Sequence, residues 1–132
     1  LAARARKEGI ELLIENENAC NVASCAELVT LLKAIPDKNV GINWDPFNAE
    51  NTNEKAFPDG YQLLPRKRIG NVQVKGKSLL AAYTPMDWPG IFRTLVQDGY
   101  KGEVGLETHI FGETQIKMSH ECMKELVRMV AS

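Results

Sequence analysis

The chain has 132 residues, 44% hydrophobic and 25% charged, with a formal net charge of -1. That is enough apolar material for one domain with a real core, and the charge excludes an electrostatic nucleic-acid footprint. No apolar run approaches the roughly 20 residues of a membrane helix, so no membrane partner is expected.

The opening "LAARARKEG" reads as the last turns of a helix closed by Gly9, so the chain resembles part of a longer protein. "IELLIEN" (10–16) is a short apolar strand. In the polar loop that follows, Ser24 and Glu27 make a capping box for a helix over 25–35, which Pro36 stops. "NVGINWDP" (39–46) is the second strand, and a loop rich in Asn and Glu leads to a short helix over 58–67, interrupted by Pro65. The basic cluster "PRKR" (65–68) is expected to be a solvated helix end. "RIGNVQVKG" (68–76) is the third strand, and 78–86 is expected to be loop. Asp87 caps a helix over 88–99 with Pro89 in its first turn. "GEVGLETH" (102–109) is the fourth strand, and a last helix runs from about Thr114 or Ser119 to Val130. Strand followed by helix, repeated, implies a parallel α/β sheet with right-handed crossovers. Four such units in a chain of this length make about half of a (β/α)8 barrel, which takes about 250 residues. An open doubly wound sheet is the alternative, although no glycine-rich loop follows the first strand. The organisation expected is a single partial domain over 1–132, a half barrel whose N-terminal half is missing.

Alternation along the strands divides them into two faces. Ile10, Leu12, Ile14, Val40, Ile42, Trp44, Val72, Val74, Val104 and Leu106 form the apolar face that helices cover. Glu11, Leu13 and Glu15 lie on the other face, with Gly41, Asn43 and Asp45, then Asn71, Gln73 and Lys75, then Glu103, Gly105 and Glu107. Three strands therefore end in a carboxylate: Glu15, Asp45 and Glu107. Carboxylates brought together need a cation or a proton to neutralise them. A hard divalent ion with oxygen ligands meets that need, and Gln73 can add an amide oxygen. Salt bridges to Lys75 are the plainer alternative. The three cysteines, Cys20, Cys25 and Cys122, fit small packing residues in a reducing compartment, hence a cytoplasmic location.

The segments "LLIENEN", "GINWDPFN", "NVQVKGK" and "DWPGIFRTLVQDGYKGEVGLETH" resemble the sugar phosphate isomerase/epimerase family, the xylose-isomerase-like TIM barrels. The resemblance runs from about Gly9 onward and matches strands five to eight of the family fold. It implies a divalent metal held by Glu15, Asp45, Glu107 and the position of Gln73, where the family has His. Mn²⁺ or Mg²⁺ is expected, with Zn²⁺ or Co²⁺ as alternatives. The resemblance also implies metal-dependent isomerisation or epimerisation of a sugar or sugar phosphate. The proton would pass through an enediolate between the catalytic carboxylates Glu15 and Glu107. Asn48, where the family often has a His, and Lys75 are the expected substrate-binding residues. His109 reads as a structural histidine and His120 as a surface one, while Trp44 and Trp88 read as packing residues. An inosose-type dehydratase on the same barrel and a non-catalytic half barrel are the competing functions. An abasic-site nuclease on the same barrel would need several histidines and a basic groove, against two His here. Four strands leave two unpaired edges, so the chain is expected to be a homo-oligomer or to pair with a missing N-terminal half.

Overall fold

The computed structural model describes residues 1–80 and 86–131. Helix α1 (Ala2–Lys7) leads through Gly9, at φ +68°, into strand β1 (Leu12–Glu15). The later units are α2 (Cys25–Lys33), β2 (Val40–Trp44), α3 (Pro46–Glu50), a short helical turn α4 (Tyr61–Leu63), β3 (Ile69–Lys75), α5 (Trp88–Gln97), β4 (Glu103–Glu107) and α6 (Gln115–Val130). All pairings are parallel and the spatial order is β1-β2-β3-β4. A doubly wound sheet reverses its strand order at a switch point. This one advances one strand at a time in the same direction, as half of a (β/α)8 barrel does. Among the described residues, β1 and β4 are edges paired on one side only.

The expected division of faces is present except at Ile10, which precedes β1 and is 53% exposed. Val40, Ile42, Trp44, Val72 and Val74 are buried in one core with Leu28 and Leu32 of α2, Ile91 and Leu95 of α5, and Cys122 and Leu126 of α6. Each such side chain contributes roughly 1.5–3 kcal/mol of burial. Trp44 packs on Tyr61, and Trp88 stacks on Phe92 while its indole N–H donates to Ser78 Oγ at 3.1 Å. Both tryptophans are core residues, 0% and 1% exposed. The capping box of α2 forms as expected, with Glu27 N donating to Ser24 Oγ at 3.2 Å and Ser24 N to Glu27 Oε2 at 2.9 Å.

The opposite face is the barrel lumen. Leu13, 37% exposed, lies on this face, and Gly41 and Gly70 make room for it. A Cβ on Gly41 would lie 2.8 Å from Leu13 Cδ2 and 2.7 Å from Arg68 O; one on Gly70 would lie 2.7 Å from Leu13 Cδ2. Between β2 and β3 the register slips from Ile42–Ile69 to Asn43–Asn71, so Gly70 is an extra residue of the kind that forms a bulge. Asn71 is thereby brought level with Asn43 on the lumen side.

Four local expectations are corrected. Residues 46–50 are helical rather than loop, because Asp45 caps the turn by accepting from Asn48 N at 2.9 Å and Pro46 takes the first position. The helix expected over 58–67 is reduced to Tyr61–Leu63, preceded by a wide turn over 56–60 and followed by a 3₁₀ turn over 66–68. "PRKR" is not a wholly solvated end: the Arg68 guanidinium donates to the carbonyls of Val40, Leu32, Ile35 and Asp37, closing the C-terminal end of α2. Cys20 is exposed in the loop after β1, so only Cys25 and Cys122 pack. Of the loop expected over 78–86, residues 81–85 lie outside the described residues. Among the described residues no helix is long and apolar enough to cross a membrane.

Candidate active site

The C-terminal ends of the four strands bring one oxygen each from Glu15, Asp45 and Glu107 within 4.8 Å of one another. Strand geometry alone accounts for the convergence. Glu15 and Glu107 are the last residues of β1 and β4, Asp45 follows β2, and Lys75 ends β3 level with Glu107. All four side chains point into the lumen.

Asp45 is wholly buried and divides its carboxylate between two tasks. Oδ1 caps α3, while Oδ2 has no hydrogen bond of good geometry and faces the Lys75 ammonium at 3.2 Å. Lys75 is 3% exposed, and its ammonium also bonds Glu107 Oε2 and stands 3.9 Å from Glu17 Oε2. Gln73 lies between two of the carboxylates. Its Nε2 donates to Glu15 Oε1 at 3.0 Å and to Glu107 Oε2 at 2.6 Å. Its Oε1 accepts from Asn43 Nδ2 at 2.6 Å, and Asn43 Oδ1 accepts from Asn71 Nδ2 at 2.6 Å.

The surroundings set opposite biases on these groups. Burial pushes the Glu15 carboxyl up, and the neighbouring carboxylates add to it against the pull of Lys75. Burial also pushes Asp45 up, against the Asn48 N–H and Lys75. At Glu107 burial is outweighed by hydrogen bonds from Lys75, Gln73 and His109, which hold it at about 2. Lys75 is held above its ordinary value, because burial is overcome by Glu107 and Asp45. Since Glu107 titrates below its unfolded value of 4.5, its bonds contribute stability at higher pH that is lost as the pH falls through about 2. Glu107→Gln is therefore expected to flatten the acid limb of stability. Urea midpoints of the metal-free chain between pH 4.5 and 2 should fall less in the variant than in the wild type. Equal slopes would show that Glu107 carries no such linkage.

The three clustered carboxylates, with Glu17 beside them, outnumber the single Lys75 ammonium, and a divalent cation would offset the excess negative charge. The donor set fits a hard ion, and the fit is visible in Asp45 Oδ2, a buried oxygen without a hydrogen bond aimed at the cluster. Glu15, Asp45 and Glu107 can hold such an ion directly. Gln73 presents its nitrogen, not its oxygen, to the carboxylates.

Asn48 is 2% exposed, and its amide nitrogen is taken by Asn16 O at 2.9 Å and Glu17 Oε2 at 3.1 Å. It braces the end of β1 instead of opening onto the lumen through that nitrogen. Asn16, given no part by the sequence reading, is wholly buried and clamps β1 to β2: its amide donates to Asp45 O at 2.7 Å and accepts from Asp45 N at 2.8 Å. The run of amides and carboxylates in "ENEN" was its only signal. Glu17 was also missed, because period two stops with the strand. His109 does more than a structural histidine would: it is exposed, sits at φ +48°, and places Nε2 2.6 Å from Glu107 Oε1.

Solved structures similar to this chain include sugar epimerases. D-psicose 3-epimerase, solved in the presence of D-fructose, superposes with a TM-score of 0.78 at 22% identity, over 99% of this chain and 53% of its own. The 3-keto-D-glucoside 4-epimerase of E. coli gives 0.79 at 20% identity, over 96% of this chain and 49% of its own. L-ribulose 3-epimerase gives 0.76 at 18% identity, over 98% and 49%. The chain thus spans about half the length of the structures it resembles, and at these identities the likeness speaks for the fold. No curated protein matches the sequence. The family described as the xylose isomerase-like TIM barrel matches residues 1–126, nearly the whole length. With four parallel strands in sequential order and a lumen that ends in carboxylates, the chain belongs to the xylose isomerase-like TIM barrel family.

Proposed function

We propose that this chain carries the metal-binding and proton-transfer face of a sugar or sugar phosphate isomerase or epimerase. The observation that carries the reading is the convergence of Glu15, Asp45 and Glu107 within 4.8 Å at the strand ends, around Lys75 and Gln73. The names of the similar structures point to sugars as substrates.

Glu15 and Glu107 come from the two edge strands and converge on Gln73 Nε2 from its two sides. A ketose that parts the two carboxylates on binding would expose the hydrogen beside its carbonyl to one and the opposite face of that carbon to the other. Removal by one carboxylate and return by the other inverts the centre. A divalent ion held by Glu15, Asp45 and Glu107, Mn²⁺ or Mg²⁺ on this oxygen set, would stabilise the negative charge that develops on the substrate oxygens. Gln73 is the fourth ligand, provided it turns its amide oxygen inward. Lys75 holds a substrate hydroxyl or phosphate oxygen, and in turning to it releases Glu107, which otherwise is too weak a base. Asn48 acts through Glu17, which it holds beside Lys75. The open edges of β1 and β4 take strands from a second half barrel, in the same polypeptide or in another copy.

The test is solvent exchange. The protein is incubated with Mn²⁺ and D-fructose in D₂O, and the sugar is read by NMR. Deuterium entering at C3 reports epimerisation, and at C1 isomerisation. Absence of exchange at both carbons, repeated with a ketopentose and with their phosphates, overturns the reading.

A further inference from the structure

The polar lumen contains three carboxamides in a row, and the direction of their hydrogen bonds is dictated from one end. Gln73 stands between two carboxylates that can only accept, so it must offer them Nε2. Its Oε1 then has to accept, and Asn43 Nδ2 donates to it. That leaves Asn43 Oδ1 to accept from Asn71 Nδ2. Every link runs the same way, towards Glu15 and Glu107. The two amide–amide links are equally short at 2.6 Å, so the row is tight enough that one amide cannot turn alone without setting two oxygens or two N–H groups against each other.

A carboxamide has an oxygen and a nitrogen of nearly the same shape, exchanged by a half-turn about its last C–C bond. The whole row can therefore run in reverse with the same number of links between amides. In that sense Asn43 donates to Asn71, Gln73 donates to Asn43, and Gln73 Oε1 faces the carboxylates. Without a cation the reversed row sets three oxygens against one another. With a divalent cation among the carboxylates it supplies a further ligand.

We propose that Asn71, Asn43 and Gln73 form a reversible amide relay that turns over as a unit when a divalent cation enters the cluster. The inference rests on the metal-binding reading of the site. It makes Asn43 and Asn71 positioning residues, since neither bonds a carboxylate, yet both must turn for Gln73 to present its oxygen without losing its partner. An imidazole at position 73 has no such exchange of oxygen for nitrogen, so the relay is particular to the glutamine.

The test uses the full chain labelled with ¹⁵N, titrated with Mg²⁺, with binding measured separately by calorimetry. The side-chain amide signals of Asn43, Asn71 and Gln73 are assigned by Asn43→Ser, Asn71→Ser and Gln73→Leu. The relay predicts that all three amides move together with the calorimetric midpoint. In Gln73→Leu, which keeps the three carboxylates, Mg²⁺ should still bind while the large shifts of Asn43 and Asn71 disappear. Binding with the Asn43 and Asn71 signals unmoved overturns the relay alone. Shifts that persist in Gln73→Leu also overturn it, because they would then be through-space effects of the ion's charge. Absence of Mg²⁺ binding in the wild type overturns the relay together with the metal reading.

Discussion

Lys75→Met is expected to destabilise the metal-free chain by about 3–5 kcal/mol, the cost of stranding a buried charge by removing its partner. The estimate applies because both partners are out of solvent: Lys75 is 3% exposed and Asp45 0%. Asp45 Oδ2 faces no other cation among the described residues and has no hydrogen bond to fall back on. Glu15 and Glu107 would also lose the charge that offsets their mutual repulsion. The loss should shrink as the pH is lowered, because burial already pushes Asp45 and Glu15 up. For a carboxyl raised in the folded state, stability is present at low pH and lost as the pH rises through the folded value. Mn²⁺ should restore most of the loss at neutral pH, since a divalent ion can replace the ammonium. The comparison is Lys124→Met, which breaks an exposed pair with Glu121 and should cost at most about 1 kcal/mol. Urea unfolding in EDTA and in Mn²⁺ measures all of these. If Lys75→Met cost no more than Lys124→Met, the carboxylates would not depend on Lys75 for their charge.

Why the fold could be read and part of the site could not follows from the range over which each signal acts. Alternation along a strand is a local property. It put Val72 and Val74 in the core, and it put Asn71, Gln73 and Lys75 in the lumen as one row. Glu15, Asp45 and Glu107 could be picked out because each ends a strand, and parallel strands in sequential order bring their ends to one place. Asn16 and Glu17 sit one and two residues past β1, where no periodicity assigns a face. Only the path of the chain after the strand shows Asn16 turning back to clamp Asp45. Asn48 illustrates a different limit. "DPFN" says that a turn begins at Asp45, but not that the fourth residue folds under β1 and spends its amide there. The sense of the Gln73 amide was equally out of reach, because it is set by Asn43 across the strand and by two carboxylates from the edges.

The second large effect concerns the two edge carboxylates. Glu15→Gln and Glu107→Gln should each lower turnover by roughly 10²–10⁴-fold, the usual contribution of a general acid–base group. They should do so differently. Burial favours the protonated form of Glu15, whereas Lys75, Gln73 and His109 hold Glu107 ionised at about 2. In an epimerisation each serves one face of the carbon, so removing one leaves the other able to exchange the hydrogen on its own face. Glu15→Gln should therefore still wash deuterium into the epimer whose hydrogen faces Glu107, without converting it to the other epimer. Glu107→Gln should do the reverse, with exchange confined to the epimer whose hydrogen faces Glu15. Exchange in D₂O, followed for each epimer separately, distinguishes this from a single base that serves both faces: in that case one variant would lose all exchange and the other would lose none. Near-wild-type turnover in either variant would remove that residue from proton transfer altogether.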